Sequence, residues 1–215
     1  MNQKIKIKAA ILEKTNRELV LKNIYHDSIL SKNQILIKIQ YTGICGSQLG
    51  EINGIKGKDN FLPHLLGHEA TGIVKKVSKE IKDFKKNDKV ILHWQKNSKN
   101  DSRNPIYYDE RSKKINAGWV TTFNNYAVVS KNRVSHLPKK ISMKEGVLFG
   151  CSLTTSYGSI FKDSKINLKK KNKILITGCG MIGQTIITLL NNSNQQIYAL
   201  ENNLKKIRFI KKNFK

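Results

Sequence analysis

Two cysteines and a His-Glu pair are the first candidates for metal ligands or catalytic groups in this sequence. Cys45 lies in "GICGSQLG", His68 and Glu69 lie in "LPHLLGHEATGIV", and Cys151 lies in "FGCSLTTSYG". The segment around the His-Glu pair otherwise resembles a buried strand, and a buried imidazole beside a carboxylate is costly unless both groups have partners. Two thiols and one imidazole form a ligand set for zinc that leaves a fourth position open for water or substrate. The alternative is a core histidine with cysteines acting as small apolar residues, and spacing alone does not decide between the two.

A second motif, "ITGCGMIGQ", places Gly178, Gly180 and Gly183 in the G-x-G-x-x-G spacing. It follows the apolar segment "KILIT" and opens an apolar helix, and Glu201 ends the next predicted strand, 201 − 178 = 23 residues after the first glycine. In a dinucleotide-binding turn, such glycines admit the pyrophosphate to the helix amino terminus and the acid takes the ribose hydroxyls. Because Glu201 would repel a 2′-phosphate, the motif favours NAD over NADP. A plain strand-to-helix turn is the alternative.

The predicted secondary structure around these residues differs between the two parts of the chain. Segments such as "KIKIKAAIL" and "QILIKIQYTGI" alternate apolar and polar residues, which predicts short strands of a β-barrel or sandwich-like domain. The polar stretch between Trp94 and Trp119 is predicted to be a long loop. From Cys151 onward one β-α-β-α run indicates the start of a parallel doubly wound sheet. We therefore expect a catalytic domain over residues 1–150 and part of a dinucleotide-binding domain over residues 151–215.

Charge is the strongest compositional feature: 40 Lys and Arg stand against 15 Asp and Glu, a formal net charge of +25. A nucleic-acid partner is one interpretation. Arginine, however, which is preferred for binding phosphates and base edges, accounts for only five of these residues. The lysines are also spread along the whole chain and are not interleaved with aromatic residues. We therefore expect no specific nucleic-acid partner.

The remaining composition indicates an ordinary globular protein, with 39% hydrophobic and 26% charged residues. No apolar run approaches the roughly 18 residues of a membrane span, and the amino terminus lacks a signal-peptide core, so we expect a cytoplasmic protein without membrane contact. The three cysteines are Cys45, Cys151 and Cys179. Their odd number and wide spacing favour thiols or metal ligands over disulfides.

Five segments together resemble a known family: "GICGSQLG", "LPHLLGHEATGIV", "FKKNDKVILHW", "GCSLTTSYG" and "ITGCGMIG". In this order they are similar to blocks of the zinc-dependent alcohol dehydrogenases of the medium-chain dehydrogenase/reductase family. The resemblance runs from about residue 5 to the end of the chain. It implies a GroES-like β-barrel catalytic domain followed by a Rossmann domain. It also implies an oxidoreductase that transfers a hydride between NAD and an alcohol, aldehyde or ketone.

The same resemblance implies roles for residues of the first part of the chain. Cys45, His68 and Cys151 would bind one catalytic zinc ion. Glu69 would lie beside that ion as a carboxylate behind the ligands or as a transient ligand. Ser47 matches the hydroxyl that passes the alcohol proton toward solvent.

Further roles concern the cofactor and the substrate. Thr155 matches a residue that contacts the nicotinamide, Ile182 matches one that backs its ring, and Lys206 is expected to touch the adenosine ribose. Trp94 falls near an apolar wall of the substrate pocket. His93 is expected to be a packing residue, although its neighbour Trp94 makes it the likeliest exception among the remaining histidines. The full-length protein would act on a small-molecule alcohol or carbonyl compound and could form a homo-oligomer.

The sequence also departs from the family pattern. Gln48 and Gly50 stand where many members have Asp and His, and no cysteine lies between residues 45 and 151 to build a second, structural zinc site. The chain ends at Lys215, after two predicted Rossmann strands. The alternatives to an enzyme are therefore a truncated, non-catalytic remnant that still binds zinc, or a basic nucleic-acid-associated protein. We expect residues 1–215 alone to show little or no dehydrogenase turnover.

Overall fold

Antiparallel strands make up most of the first part of the chain, and a parallel strand pair with helices follows them. The structure is a computed structural model that describes residues 4–214. The chain divides between Cys151 and Ser152 into two compact units. Within the described part of the first unit there are ten strands, β1 (Lys4–Leu12), β2 (Val20–Asp27), β3 (Gln34–Thr42), β4 (His64–Leu65), β5 (Ala70–Val77), β6 (Lys89–Leu92), β7 (Tyr107–Asp109), β8 (Lys114–Ile115), β9 (Tyr126–Ser130) and β10 (Val134–His136). The helices of this unit are α1 (Gly46–Ile52) and α2 (Met143–Gly146), with 3-10 turns at Lys131–Arg133 and Val147–Gly150.

These strands form two five-stranded antiparallel sheets, with the orders β4-β1-β2-β7-β8 and β10-β6-β5-β3-β9. Backbone hydrogen bonds from Ala10 N to Phe123 O and from Asn125 N to Lys8 O join β1 to the segment that leads into β9. The two sheets therefore continue into each other as a nearly closed barrel. This confirms the predicted β-barrel.

Strand β3 shows why the alternating pattern folds in this way. Ile35 and Ile37 contribute to one buried apolar cluster, whereas Leu36 contributes to another on the opposite face. Successive side chains of a strand point to opposite faces, so β3 serves both clusters at once. β9 repeats the arrangement, with Val128 in one cluster and its neighbours Ala127 and Val129 in the other. These two strands lie at the centre of the first unit's core.

The polar stretch between Trp94 and Trp119 is not entirely a loop, and in this respect the prediction is incomplete. It contains the short strands β7 and β8, and β7 pairs with β2. Tyr107 of β7 is fully buried, and its hydroxyl accepts a hydrogen bond from Val128 N at 3.0 Å. A single buried aromatic residue therefore anchors a segment whose overall composition is that of a loop.

The second unit contains α3 (Ser152–Gly158), a π-helical turn (Ser159–Asp163), β11 (Lys173–Thr177), α4 (Met181–Leu190), β12 (Gln196–Leu200) and α5 (Leu204–Asn213). β11 and β12 pair in parallel, as the predicted β-α-β-α run requires. One buried apolar cluster consists of Ile176, Cys179 and Ile187, with four isoleucines and Phe214 packed against it. Leu175 and Leu200 are exposed by 66% and 62%. This is the first part of a Rossmann sheet, with much of its apolar surface uncovered.

Among the described residues, no helix combines the length and the apolar character that a membrane span requires.

Candidate metal centre and glycine turn

Three separated segments of the first unit bring the predicted ligands together. Cys45 precedes α1, His68 lies between β4 and β5, and Cys151 follows the last 3-10 turn. Each residue offers one ligand atom, and the three atoms all lie within 4.8 Å of one another. Neither cysteine is in a disulfide, and their sulfur atoms are 4.0 Å apart. Two thiolates on a tetrahedral zinc, with Zn–S bonds of about 2.3 Å, would be separated by roughly 3.8 Å, so the spacing fits that ion.

His68 supplies the strongest sign that a partner belongs at this place. The residue is only 9% exposed, and its Nδ1 is hydrogen bonded to the side chain of Gln48. Its Nε2 is buried without a hydrogen-bond partner among the described residues. Burial lowers the pKa of His68 and the positive charge of Lys56 lowers it further, which favours a neutral imidazole. An unsatisfied buried polar group costs about 1–3 kcal/mol, a penalty that a metal ion bound at Nε2 would remove.

Gly67 explains why His68 and Glu69 leave the strand that the sequence suggests for them. Its φ of +89° turns the chain between β4 and β5, and a residue with a side chain rarely adopts this conformation. The pair therefore lies at a strand junction and not inside a strand. This turn is the local reason why the imidazole is presented beside Cys45.

Glu69 is enclosed by two close glycines. It is 6% exposed, and burial raises the pKa of its carboxyl group. A Cβ at Gly43 would lie 2.7 Å from the carboxyl carbon, and a Cβ at Gly150 would lie 2.7 Å from the Cβ of Glu69. The acid thus occupies space that the glycines leave open, and it is held next to His68 along the chain.

Ser47 lies in the first turn of α1, two residues after Cys45. Its Oγ is buried and has no hydrogen-bond partner among residues 4–214. A hydroxyl can both donate and accept, so this group is chemically suited to receive and pass on a proton.

Trp94 lies beside the centre, with its ring 5.8 Å from the ring of His68 and more than half of its surface exposed. The Arg133 guanidinium group lies 5.6 Å from the Trp94 ring and 5.2 Å from the Trp119 ring, and it donates a hydrogen bond to Trp94 O. Sequence reasoning missed Arg133, because nothing in its spacing connects it to either tryptophan. The arginine holds the predicted pocket wall in place.

His93 and His64 do not join the centre through a free ring nitrogen. Both nitrogens of His93 are hydrogen bonded, to Gln95 O and to Ser135 Oγ, as expected for a packing residue. His64 lies 2.8 Å from Asp59 and 3.8 Å from Glu51. Only the Asp59 contact is a hydrogen bond, and the grouping of this buried histidine with two carboxylates was not predicted from the sequence.

In the second unit, the three glycines of the turn differ in what surrounds them. Gly178 has a φ of +81°, and a Cβ at Gly183 would lie 2.2 Å from Gly178 O. A Cβ at Gly180 would meet nothing within 4 Å, and α4 starts at the next residue. The turn therefore leaves open space beside the amino terminus of a ten-residue helix, where free N–H groups and the helix dipole favour a phosphate.

Glu201 follows β12 and faces the turn. Its carboxylate accepts hydrogen bonds from the backbone N–H groups of Asn203, Cys179 and Asn202, and these bonds lower its pKa. Lys206 Nζ lies 3.5 Å from the same carboxylate. An ionised acid beside the glycine turn is compatible with ribose recognition, although its backbone partners already engage both oxygens.

The two predicted nicotinamide contacts lie on packed helices of this unit. Thr155 is half-buried in α3, and Ile182 is in the first turn of α4. The hydroxyl of Ser156, next to Thr155, donates to Ile182 O at 3.2 Å. The structure thus holds Thr155 and Ile182 on adjacent helices.

Comparison with known proteins identifies the family to which the chain with this barrel belongs. Residues 31–139, about half of the chain, match the alcohol dehydrogenase GroES-like domain, and the chain therefore belongs to the alcohol dehydrogenase family that carries this domain. It is similar to S-(hydroxymethyl)glutathione dehydrogenase of Saccharomyces cerevisiae, with 24% identity over 85% of this chain and 53% of the relative. The chain spans about half the length of the curated relatives it matches.

Solved structures show the same fold. An alcohol dehydrogenase zinc-binding domain protein from Burkholderia ambifaria superposes with a TM-score of 0.84 at 16% identity, over 98% of this chain and 62% of that one. CAD from Helicobacter pylori, solved in complex with NADP(H), gives a TM-score of 0.78 at 22% identity, over 98% and 63% of the two chains. The predicted family and fold class are confirmed.

Proposed function

We propose that the chain is the metal-binding domain and the first part of the cofactor-binding domain of a zinc-dependent oxidoreductase. The complete protein would transfer a hydride between a small-molecule alcohol, aldehyde or ketone and NAD. The observation that carries the proposal is the buried, unpartnered Nε2 of His68 in a group with two thiols whose ligand atoms lie within 4.8 Å. Family membership supports it independently.

In this proposal Cys45, His68 and Cys151 hold the zinc ion. Bound there, zinc would supply Lewis-acid chemistry to the substrate oxygen at the open coordination position. Ser47 accepts the alcohol proton and passes it on, and its unpaired Oγ supports that role. Glu69 lies beside the ion, as a carboxylate behind the ligands or as a transient ligand.

For the cofactor, we propose that Gly178, Gly180 and Gly183 hold the pyrophosphate at the amino terminus of α4. Glu201 would accept from the ribose hydroxyls, which favours NAD over NADP. NAD would supply the hydride acceptor or donor.

The remaining proposed contacts complete the cofactor and substrate sites. Lys206 would contact the adenosine ribose, and Thr155 and Ile182 would contact the nicotinamide. Trp94 would form an apolar wall for the substrate.

Metal analysis of the purified chain tests the centre. We expect one equivalent of zinc per chain after dialysis, and a cobalt(II)-substituted form with thiolate-to-metal charge-transfer absorption. Cys151→Ser should lose the metal, whereas the matched variant Cys179→Ser should keep it, because Cys179 belongs to the glycine turn. Two retained equivalents, or a Cys151→Ser protein that keeps its zinc, would contradict the proposal.

An assay with NAD and a panel of primary and secondary alcohols tests the activity. We expect little turnover from residues 1–215, because they contain only the first part of the proposed cofactor-binding domain. Hydride transfer requires the nicotinamide and the substrate to be positioned so accurately that a shift of about 1 Å can cost ~100-fold in rate. Zinc-dependent turnover that disappears in His68→Ala would support the centre and show that residues 1–215 suffice for hydride transfer. Turnover that persists in His68→Ala would contradict the proposed centre.

A further inference from the structure

Gln48 connects two of the three proposed ligands, although it is not itself a ligand. Its side chain is nearly inaccessible, at 3% exposure. Its Oε1 accepts a hydrogen bond from Cys45 N at 3.1 Å, and its Nε2 is hydrogen bonded to His68 Nδ1. One amide group therefore bridges the backbone of Cys45 and the ring of His68.

The chemistry of the bridge determines which way the amide faces. The backbone N–H of Cys45 can only donate, so it requires the amide oxygen of Gln48. The NH₂ group is then directed at His68, and since that group can only donate, His68 Nδ1 must accept with its lone pair. A neutral imidazole with an accepting Nδ1 carries its proton on Nε2. In this arrangement the proton occupies the nitrogen that has no partner of its own.

We propose that Gln48 is a positioning residue that holds His68 in the Nε2–H tautomer in the metal-free protein, so that metal binding requires the amide to rotate. The inference rests on the proposed metal centre. A metal-bound histidine commonly donates its second N–H to a carboxylate, a carbonyl oxygen or water. Gln48 can offer an acceptor to His68 only by turning its oxygen away from Cys45.

The rotation has a defined cost in hydrogen bonds. With Oε1 turned to His68, the proton moves to Nδ1 and Nε2 becomes free for the metal. The NH₂ group then meets the N–H of Cys45, so two donors face each other and one buried hydrogen bond is lost. A carboxylate at position 48 would accept from both neighbours without this conflict. The wild-type chain should therefore bind metal more weakly than Gln48→Glu.

The tautomer can be measured without any metal. Long-range ¹H–¹⁵N spectra of the metal-free chain at about pH 8, above the ordinary histidine pKa of ~6.5, distinguish Nδ1–H from Nε2–H, and His68→Gln assigns the signal. We expect Nε2–H in the wild type and Nδ1–H in Gln48→Glu. In Gln48→Met, which matches the size of glutamine without its donor and acceptor, we expect both tautomers. A wild-type His68 that carries its proton on Nδ1 would overturn the proposal.

Metal affinity provides the second measurement, with zinc and cobalt(II) each titrated in competition with a chromophoric chelator. Altered hydrogen-bond partners of metal ligands typically change affinity by 10–100-fold, and we expect Gln48→Glu to bind more tightly by about that factor. Equal or weaker binding by Gln48→Glu would refute the inference. If no variant binds either metal but the tautomers follow the expected order, the proposed metal centre fails and the role of Gln48 in setting the tautomer stands.

Discussion

Replacing Gly67 by alanine tests whether the turn that precedes His68 requires a glycine. Gly67 has a φ of +89°, and an added Cβ would lie 2.3 Å from Thr122 Oγ1 and 2.7 Å from Phe123 Cδ1. Thr122 cannot simply move aside, because it is fully buried and its hydroxyl is hydrogen bonded to that of Thr42 at 2.8 Å. The substitution therefore combines backbone strain with overpacking.

The two costs can be separated with a matched glycine. A non-glycine residue at positive φ costs about 1–2 kcal/mol, and overpacking a filled core costs about 1–3 kcal/mol. Gly57 has nearly the same φ, +88°, but an added Cβ there would meet nothing within 4 Å. We expect Gly57→Ala to lose about 1–2 kcal/mol of unfolding free energy and Gly67→Ala about 2–5 kcal/mol.

Urea unfolding followed by tryptophan fluorescence is the assay. Both tryptophans, Trp94 and Trp119, belong to the first unit, so the signal reports on the domain that contains the substitutions. The difference in unfolding free energy between the two variants measures the cost of the steric clash at Gly67. If the unfolding free energies of Gly57→Ala and Gly67→Ala differ by less than about 0.5 kcal/mol, the neighbours of Gly67 can move to admit a Cβ and the prediction is wrong.

Three further predictions concern other parts of the molecule. Gly183→Ala should disrupt the second unit, because the added Cβ would lie 2.2 Å from Gly178 O. Gly180→Ala should keep the native circular dichroism spectrum, because its Cβ would meet nothing within 4 Å, but it should weaken NAD binding measured by calorimetry. Arg133→Ala should destabilise the first unit by about 2 kcal/mol or more in urea, because it removes a buried cation held against two tryptophan rings; an unchanged midpoint would contradict this. Burial lowers the pKa of His26, so the unfolded chain binds the proton more readily than the folded chain. His26 therefore does not change the unfolding free energy above about pH 6.5 and lowers it as the pH falls toward the folded-state pKa of His26. The variant His26→Gln should flatten the pH dependence of the urea midpoint between about pH 7 and pH 5.

Sequence periodicity predicts much of this fold because local patterns carry the information. The alternation in "QILIKIQYTGI" indicates a strand, and the structure shows that both faces are buried over its first four residues, 34–37. The glycine spacing after "KILIT" predicts a strand-to-helix turn. In the structure Gly178 has the positive φ that this turn requires, and Gly183 lies so close to the backbone of Gly178 that no side chain fits there. Each of these signals arises within a few residues.

The long polar stretch shows where such reasoning stops. Its composition is that of a loop, yet Tyr107 and Ile115 each lie in a short strand and contribute to the core. One apolar side chain in a two- or three-residue strand has no period that a pattern can detect. Arg133 is comparable, because its place between Trp94 and Trp119 depends on contacts across 39 and 14 residues of sequence, 133 − 94 and 133 − 119.

The residue types of a metal centre are visible in the sequence: two thiols, an imidazole and an adjacent acid. The closeness of the Cys45 and Cys151 sulfur atoms, which lie 4.0 Å apart although the residues are 106 positions apart, comes from the tertiary structure. The tertiary structure also determines that Gln48 takes one nitrogen of His68 and leaves the other without a partner. Proximity between distant segments follows from how the barrel closes, and hydrogen-bond partners follow from that proximity, so neither is encoded in the local spacing of residues.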